Sequence, residues 1–293
     1  MTSMRQGPQA PARARRPDPL PASLQRATAV LACPHCCGRL CPEGRGLVCR
    51  RGHRFDVARH GSVRLDGASG RRRHAGDDRD MIEARGAFFE AGGFRAVTAA
   101  LATATRQGCG SRASWWLLDV GAGTGHHAAG ILDRLGGGHG VAVDVSRHAL
   151  AAAARRHPRL AAVGADVWAG LPVRSDNVDV VLVAFAPRNA AEMHRVLRPD
   201  GRLLLLAPAA DHLRELLVHT SVGIDAHKRE RLDRTFGQRF ALEHRTRVTD
   251  RVHLSPDAEA ALYRMGPWAR HDVSPRPLGT VTVAVELSVY RPV

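Results

Sequence analysis

Residues 117–125 read Leu117-Leu118-Asp119-Val120-Gly121-Ala122-Gly123-Thr124-Gly125, and no other stretch constrains the chain as much. An apolar run ends in an acid and breaks into a loop with glycine at alternate positions. The run predicts a buried strand, and the glycines let a ligand approach the backbone where any side chain would collide. Such a strand and loop belong in a doubly wound sheet that binds a nucleotide-like molecule. The G-x-G-x-x-G spacing of dinucleotide enzymes is not met, because His126 stands where the third glycine would fall.

Later segments narrow the ligand. Val141-Ala142-Val143-Asp144 is a second short apolar strand, closed by an acid 25 positions after Asp119. A carboxylate there can accept hydrogen bonds from both hydroxyls of a ribose. Asp166 follows, then Leu171-Pro172 and the apolar stretch Val178 to Val183. From Glu192 to Pro208 the pattern is helix, turn and strand, with Pro199 and Gly201 marking the turn and Leu203 to Leu206 a buried strand. Across roughly residues 115–208 these segments resemble the class I S-adenosylmethionine (SAM)-dependent methyltransferases. The resemblance implies that Asp166 bonds the adenine amino group. Past residue 210, Asp211 to Thr220 reads as a helix, and Ser255 caps a further helix with Pro256 in its first turn. Thr280 to Tyr290 is a β run expected to pair antiparallel with residues 245–254. Met265-Gly266-Pro267-Trp268 fits either a substrate-side loop or plain packing.

Composition frames the partner. The net charge is +15, from 43 basic and 28 acidic residues, and Lys228 is the only lysine. Preference for arginine reflects GC-rich coding in part, but the excess of bases over acids does not follow from it. Such charge suits a polyanion, and guanidinium groups grip phosphate well. Residues 1–28 hold five arginines, five prolines and one acid, and predict a disordered basic tail. No secretory core is visible and no stretch reaches the ~20 apolar residues of a membrane helix, so a cytoplasmic protein with no membrane partner is expected.

Five of the six cysteines fall within 17 residues, as Cys33, Cys36, Cys37, Cys41 and Cys49, with His35 and His53 beside them. That density in a cytosolic chain argues for zinc rather than disulfides. The best tetrad is Cys33-x2-Cys36 with Cys49-x3-His53, two tight turns closing a tetrahedron. Spacing alone leaves open a set that uses Cys37 or Cys41. Four protein ligands leave no position for catalysis, so the metal would be structural, and the knot would present Arg39, Arg45, Arg50, Arg51, Arg54, Arg59 and Arg64.

The run Cys33-Pro34-His35-Cys36 with Cys49 to Val63, the linker Gly76 to Phe94 and the pair Ala186-Pro187 together resemble the 23S rRNA (guanine-N1)-methyltransferases. That family has housekeeping and macrolide-resistance members. The likeness runs from about residue 33 to the C-terminus; the long tail, Cys37, Cys41 and Phe94 (often tyrosine in the family) depart from it. It implies that Cys33, Cys36, Cys49 and His53 hold Zn(2+), and that Gly123 and Thr124 touch SAM. Phe94 would cover SAM from the linker, and His212 would contact it. Asp119, Gly121, Asp144 and Asp166 complete the expected cofactor site. Arg188, in Ala186-Pro187-Arg188-Asn189 at the end of the fourth strand, is the candidate for orienting the guanine or a phosphate.

The expected fold is α/β: a class I SAM-methyltransferase doubly wound sheet with a C-terminal antiparallel hairpin, preceded by a small zinc-binding domain. Expected bounds are 1–28 tail, 29–66 zinc-binding domain, 67–111 linker with helices and 112–293 methyltransferase domain. The expected function is SAM-dependent methylation of guanine N1 in a 23S rRNA hairpin, serving rRNA processing or macrolide resistance, with 23S rRNA as the partner and a homodimer as one option. The alternatives are a small-molecule (quinone or natural-product) methyltransferase and a zinc-dependent RNA-binding protein with a vestigial SAM site.

Overall fold

The computed structural model describes residues 19–66, 76–220, 228–270 and 275–293. In chain order the elements are α1 (Ala22–Ala27), β1 (Leu40–Glu43), β2 (Gly46–Cys49), β3 (Arg54–Asp56), β4 (Val63–Arg64), α2 (Arg79–Glu90) and α3 (Arg95–Cys109). Then come β5 (Trp116–Val120), α4 (His126–Leu135), β6 (His139–Asp144), α5 (Arg147–Arg156), β7 (Leu160–Gly164), β8 (Val178–Ala184), α6 (Ala190–Val196) and β9 (Leu197–Pro208). The chain closes with α7 (Arg214–Leu217), α8 (Lys228–Phe236), β10 (Phe240–His253), α9 (Pro256–Met265) and β11 (Thr280–Pro292).

The large sheet has the order β10-β11-β9-β8-β5-β6-β7-β4, and β1 to β3 form a separate antiparallel sheet. From β4 to β9 all pairings in the large sheet are parallel, while β11 runs antiparallel to β9 and β10 to β11. Alternation along the strands divides the core into two faces. Leu118, Val120, Val141, Val143, Val181 and Val183 face one way, together with Leu24, Leu40, Leu47 and Phe55. Leu117, Ala142, Val180 and Leu182 face the other, against Phe88, Val97, Leu101, Ile131 and Leu262 from the helices. Strands buried on both sides explain the unbroken apolar runs of the sequence. The chain lays β5, β6 and β7 in one direction and then returns to place β8 on the far side of β5. A crevice must open at such a reversal, beyond the carboxyl ends of the strands.

The expected doubly wound sheet and C-terminal hairpin are present. The turn read at Pro199–Gly201 is the place where the β8–β9 register jumps from Val178/Leu197 to Val180/Arg202. Two expectations are corrected. The helix expected over 211–220 is only α7, since Leu213 adopts a left-handed conformation that an α-helix does not tolerate. The disordered tail expected through residue 28 lies outside the described residues up to 18, and its end is ordered: Leu24 and Ala27 of α1 are fully buried. Residues 29–66, which hold the Cys/His cluster of the expected zinc-binding domain, share their core with the large sheet. β4 is the eighth strand of the large sheet, Ala32 N–H donates to Pro172 O and Arg174 N–H to Val30 O, and Leu40, Leu47 and Phe55 share the core of the sheet. The segment has too few apolar residues to bury by itself, so it borrows that face. Among the described residues no helix is long and apolar enough to cross a membrane.

Gly125 precedes α4 at φ 71°, and a Cβ there would sit 2.9 Å from Leu160 Cδ2 and 3.2 Å from Ala153 Cβ. Gly125→Ala is therefore expected to lower the free energy of unfolding by about 2–4 kcal/mol, from the left-handed backbone and the overpacking together. Urea denaturation measures this; an unchanged midpoint would contradict the loop geometry.

Candidate active site

A cavity of about 760 Å³ opens at the carboxyl ends of β5, β6 and β8. This lies within the ~300–1,000 Å³ of sites that bury a small ligand. Asp119 is the fourth residue of β5, Asp144 ends β6, and Asp166 stands two positions past β7; all three line the cavity. Successive strands thus deliver three carboxylates to one space. Beneath them the ends of β5 and β8 converge: a Cβ on Gly121 would lie 2.3 Å from the Cβ of Ala186. Only glycine, here at φ 70°, fits.

Each acid is held differently. Asp144 accepts Gly123 N–H at 2.9 Å on one oxygen and Ser146 N–H at 2.8 Å on the other, which leaves a lone pair on each oxygen for a ligand's hydroxyls. Burial raises its pKa, against the pull of those two N–H groups. Asp166 accepts Trp168 N–H at 2.9 Å. Asp119 is 2% exposed. Burial, with the negative charge of Asp144 adding to it, pushes its pKa up to about 7. A buried carboxylate this costly to ionise suits a cationic ligand group, whose arrival would favour the charged form.

The linker supplies one wall. Asp78 caps α2 by accepting Met81 N–H at 2.9 Å, Asp77 O accepts Ser146 Oγ–H at 2.6 Å, and Arg85 pairs with Asp77 and donates to Met265 O at 3.1 Å. Residues from the β6 loop, α2 and α9 are thereby tied together around the cavity. Phe94, the residue before α3, is buried at the centre of a ring cluster, 5.4 Å from Phe89, 5.9 Å from His127, 5.8 Å from Phe185 and 6.0 Å from His212. His126 stacks on Phe89 at 4.3 Å. Burial is the main cause that lowers His126 to about 4 and His127 to about 3, so both imidazoles are neutral at pH 7.

Of the residues expected from sequence, Phe94, Asp119, Gly121, Gly123, Asp144, Asp166 and His212 line this one cavity. Thr124 is not among the lining residues: its side chain is buried, and its hydroxyl has no partner among the described residues. Arg188 is also absent from the lining, although Ala186 and Pro187 are part of it. Partial burial lowers the pKa of the Arg188 guanidinium, and its Nε has no hydrogen-bond partner among the described residues. No part in the transfer is assigned to it. Sequence reasoning missed Asp77 and Arg85, whose pairing spans eight positions of an apparently polar linker, and the rings of Trp168 and Phe185. Met265, Gly266 and Trp268 line the cavity, and Trp268 is packed with its Nε1–H on Leu262 O at 3.0 Å.

Some distance along the chain, Cys33, Cys36, Cys49 and His53 form a second site. Their ligand atoms all lie within 4.8 Å of one another. Cys36 Sγ and Cys49 Sγ are 3.6 Å apart, and His53 Nδ1 lies 3.3 Å from Cys49 Sγ and 3.5 Å from Cys33 Sγ. A tetrahedron with bonds of ~2.3 Å to sulfur and ~2.0 Å to nitrogen has edges of about 3.5–3.8 Å. The donors fit zinc and are too far apart for a disulfide. Cys37 and Cys41 are exposed and outside the set. His35 is outside it too, stacked on Phe55 at 5.8 Å.

Comparison with known proteins agrees with this geometry. A family model described as "Methyltransferase domain" matches residues 117–201. A 23S rRNA (guanine(748)-N(1))-methyltransferase of Streptomyces fradiae is 36% identical over 89% of this chain and 96% of its own. A Micromonospora griseorubida protein named for the same guanine-N1 activity on 23S rRNA is 40% identical over 85% of this chain and 91% of its own. A Bacillus subtilis protein, also named for that activity, is 32% identical over 63% and 66% of the two chains.

The raised pKa of Asp119 has a thermodynamic consequence. Between about pH 4 and pH 7 the folded protein holds a proton on Asp119 that the unfolded chain has released, so this group's contribution to stability falls as pH rises through that window. Ligand-free Asp119→Asn should melt above the wild type at pH 8, with the gain disappearing below about pH 4. Differential scanning fluorimetry across pH reads both limits.

Proposed function

Because the chain belongs to the 23S rRNA (guanine-N1)-methyltransferase family, we propose that it methylates N1 of a guanine in 23S rRNA with SAM as donor. The observation that carries this reading is the meeting of Asp119, Asp144, Asp166 and the glycine loop in one cavity. Asp144 would take the ribose hydroxyls and Asp166 the adenine amino group. Asp119 would take the ammonium of the methionine moiety, whose charge offsets the cost of ionising that buried acid. The backbone of Gly121 and Gly123 would lie against the cofactor, with Phe94 and His212 covering it.

When bound, SAM supplies a methyl group on a sulfonium centre. The protein's share of the work is alignment and exclusion of water. The linker wall from Asp77 to Phe94 and the segment Met265–Trp268 close over the ends of the strands and provide that shelter. Guanine N1 lies on the Watson–Crick edge, so the acceptor must be unpaired or turned out of its helix, as in a hairpin loop. The net charge of +15 supplies general attraction to that RNA. Zinc on Cys33, Cys36, Cys49 and His53 would have four protein ligands and a structural role. It would brace the arginines of β3 and its loops beside the sheet. We include in this reading the division into zinc-binding segment, linker and methyltransferase domain, with the junction at β4 shared between the first and the last.

Primer extension on in vitro-transcribed 23S rRNA treated with protein and SAM should stop at one guanine, because N1-methylguanine blocks pairing. Full read-through with SAM demonstrably bound would refute the assignment. Affinity for the RNA should fall steeply between 50 and 200 mM salt; a salt-insensitive substrate would indicate a small-molecule enzyme. Asp144→Ala should raise the SAM dissociation constant at least about tenfold, by loss of charge-assisted hydrogen bonds, with RNA affinity within twofold of wild type. Cys49→Ala should release the zinc found by metal analysis of the wild type and lower the melting temperature, since metal binding contributes to folding. Unchanged metal content would remove zinc from the assignment.

A further inference from the structure

Five large hydrophobic side chains are exposed among the described residues, and the two that are aromatic, Trp168 at 47% and Phe185 at 42%, both line the cavity. Trp168 belongs to the Asp166 end, through the bond from its N–H to that carboxylate. Phe185 belongs to the other end, directly after β8, followed by the lining residues Ala186 and Pro187. Its backbone is left-handed at φ 55°, a conformation costly for a residue with a Cβ and a bulky ring. What holds it there is on both sides of the residue. Ala184 pairs with Leu206 in the β8–β9 ladder, and the ring rests on His212 at 5.8 Å and 22° and against the edge of Phe94 at 5.8 Å and 60°. His212 is itself pinned, its Nδ1 accepting Ala284 N–H at 3.2 Å. The Phe185 ring is therefore flanked by a near-parallel imidazole held in place by Ala284 N–H, and the exposed residue lines the cavity.

We propose that Phe185 is the stacking platform for the acceptor guanine. The strained backbone aims an apolar ring at the mouth of the site instead of letting it fold into the core, and a rigid open π-face receives a flat heterocycle. A nucleobase turned out of its helix has lost its stacking neighbours, and a ring of this kind restores one of them. The completed arrangement is a stack of His212, Phe185 and guanine, with the guanine edge left free for the transfer. This rests on the RNA-methylating reading above and assigns the acceptor subsite within it.

The test uses full-length protein, in vitro-transcribed 23S rRNA and two variants. F185G removes the ring while relaxing the left-handed backbone, so it should fold, with a melting temperature close to that of wild type. It should bind SAM with an unchanged dissociation constant by calorimetry and lose about 5- to 100-fold in kcat/KM for the RNA, the range expected from one base–aromatic stack. F185W, which returns a π-face, should recover most of that loss. The proposal is overturned if F185G keeps the wild-type kcat/KM, if its SAM affinity falls in parallel, or if F185W is as impaired as F185G. Wild-type protein that binds SAM and methylates no guanine of the RNA overturns the functional reading and this proposal with it, and that control is read first.

Discussion

The ends of β5 and β8 approach so closely that a Cβ on Gly121 would lie 2.3 Å from that of Ala186, and the arrangement of the site depends on this contact. It exists because the chain reverses its direction of strand addition at β5, which places the first and fourth strands of the doubly wound unit side by side. Beyond that junction no strand continues, so the backbone at the tips of β5, β6 and β8 has to turn away. The turns leave room for a ligand, and their acids face it. Sheet order, glycine loop and carboxylates are thus one constraint seen at three scales.

The N-terminal segment shows how a poor core is completed. Residues 40–57 supply Leu40, Leu47, Phe55 and Val57, a handful of apolar side chains that would not bury themselves in isolation. They share a face of the large sheet, and β4 adds itself to the edge at β7. The four sulfur and nitrogen donors converge within the same segment, all within 4.8 Å of one another. Anchoring of this kind gives the basic loops of the segment a defined place relative to the cavity, which a flexibly tethered module would lack.

Much of this was legible in residue order, and the reasons are physical. Strands buried on both faces leave continuous apolar runs, so β5, β6, β8 and β9 could be located from leucine and valine alone. Acids at their ends, and glycines at positions of positive φ, mark the cavity because few other residues tolerate those environments. Metal-ligand spacing selected Cys33, Cys36, Cys49 and His53, and the structure brings those four together while leaving Cys37 and Cys41 outside. What escaped depended on direction rather than on composition. Arg188 sits beside two lining residues, yet it is not among the residues that line the cavity, and its Nε is buried without a hydrogen-bond partner among the described residues. Phe185 reads as one more apolar residue at the end of a strand until its φ of 55° is known. Asp77 and Arg85 meet across the first turns of a helix whose start could not be paired with the β6 loop by inspection.

The borders of the large sheet carry a consequence for how these molecules meet one another. One border is β4, a strand of two residues; the other is β10, fourteen residues long, with His244, Thr246, Arg247, Thr249, Arg251 and His253 exposed along it. A border so short offers too few amide groups to template a neighbour, and the long one carries the charged Glu243, Arg247 and Arg251 among its exposed side chains, which disfavours pairing edge to edge. Lateral growth, the route by which exposed ladders recruit further chains into fibrils, is discouraged at both margins. A protein this rich in β-structure thus carries margins that keep the sheets of neighbouring molecules separate.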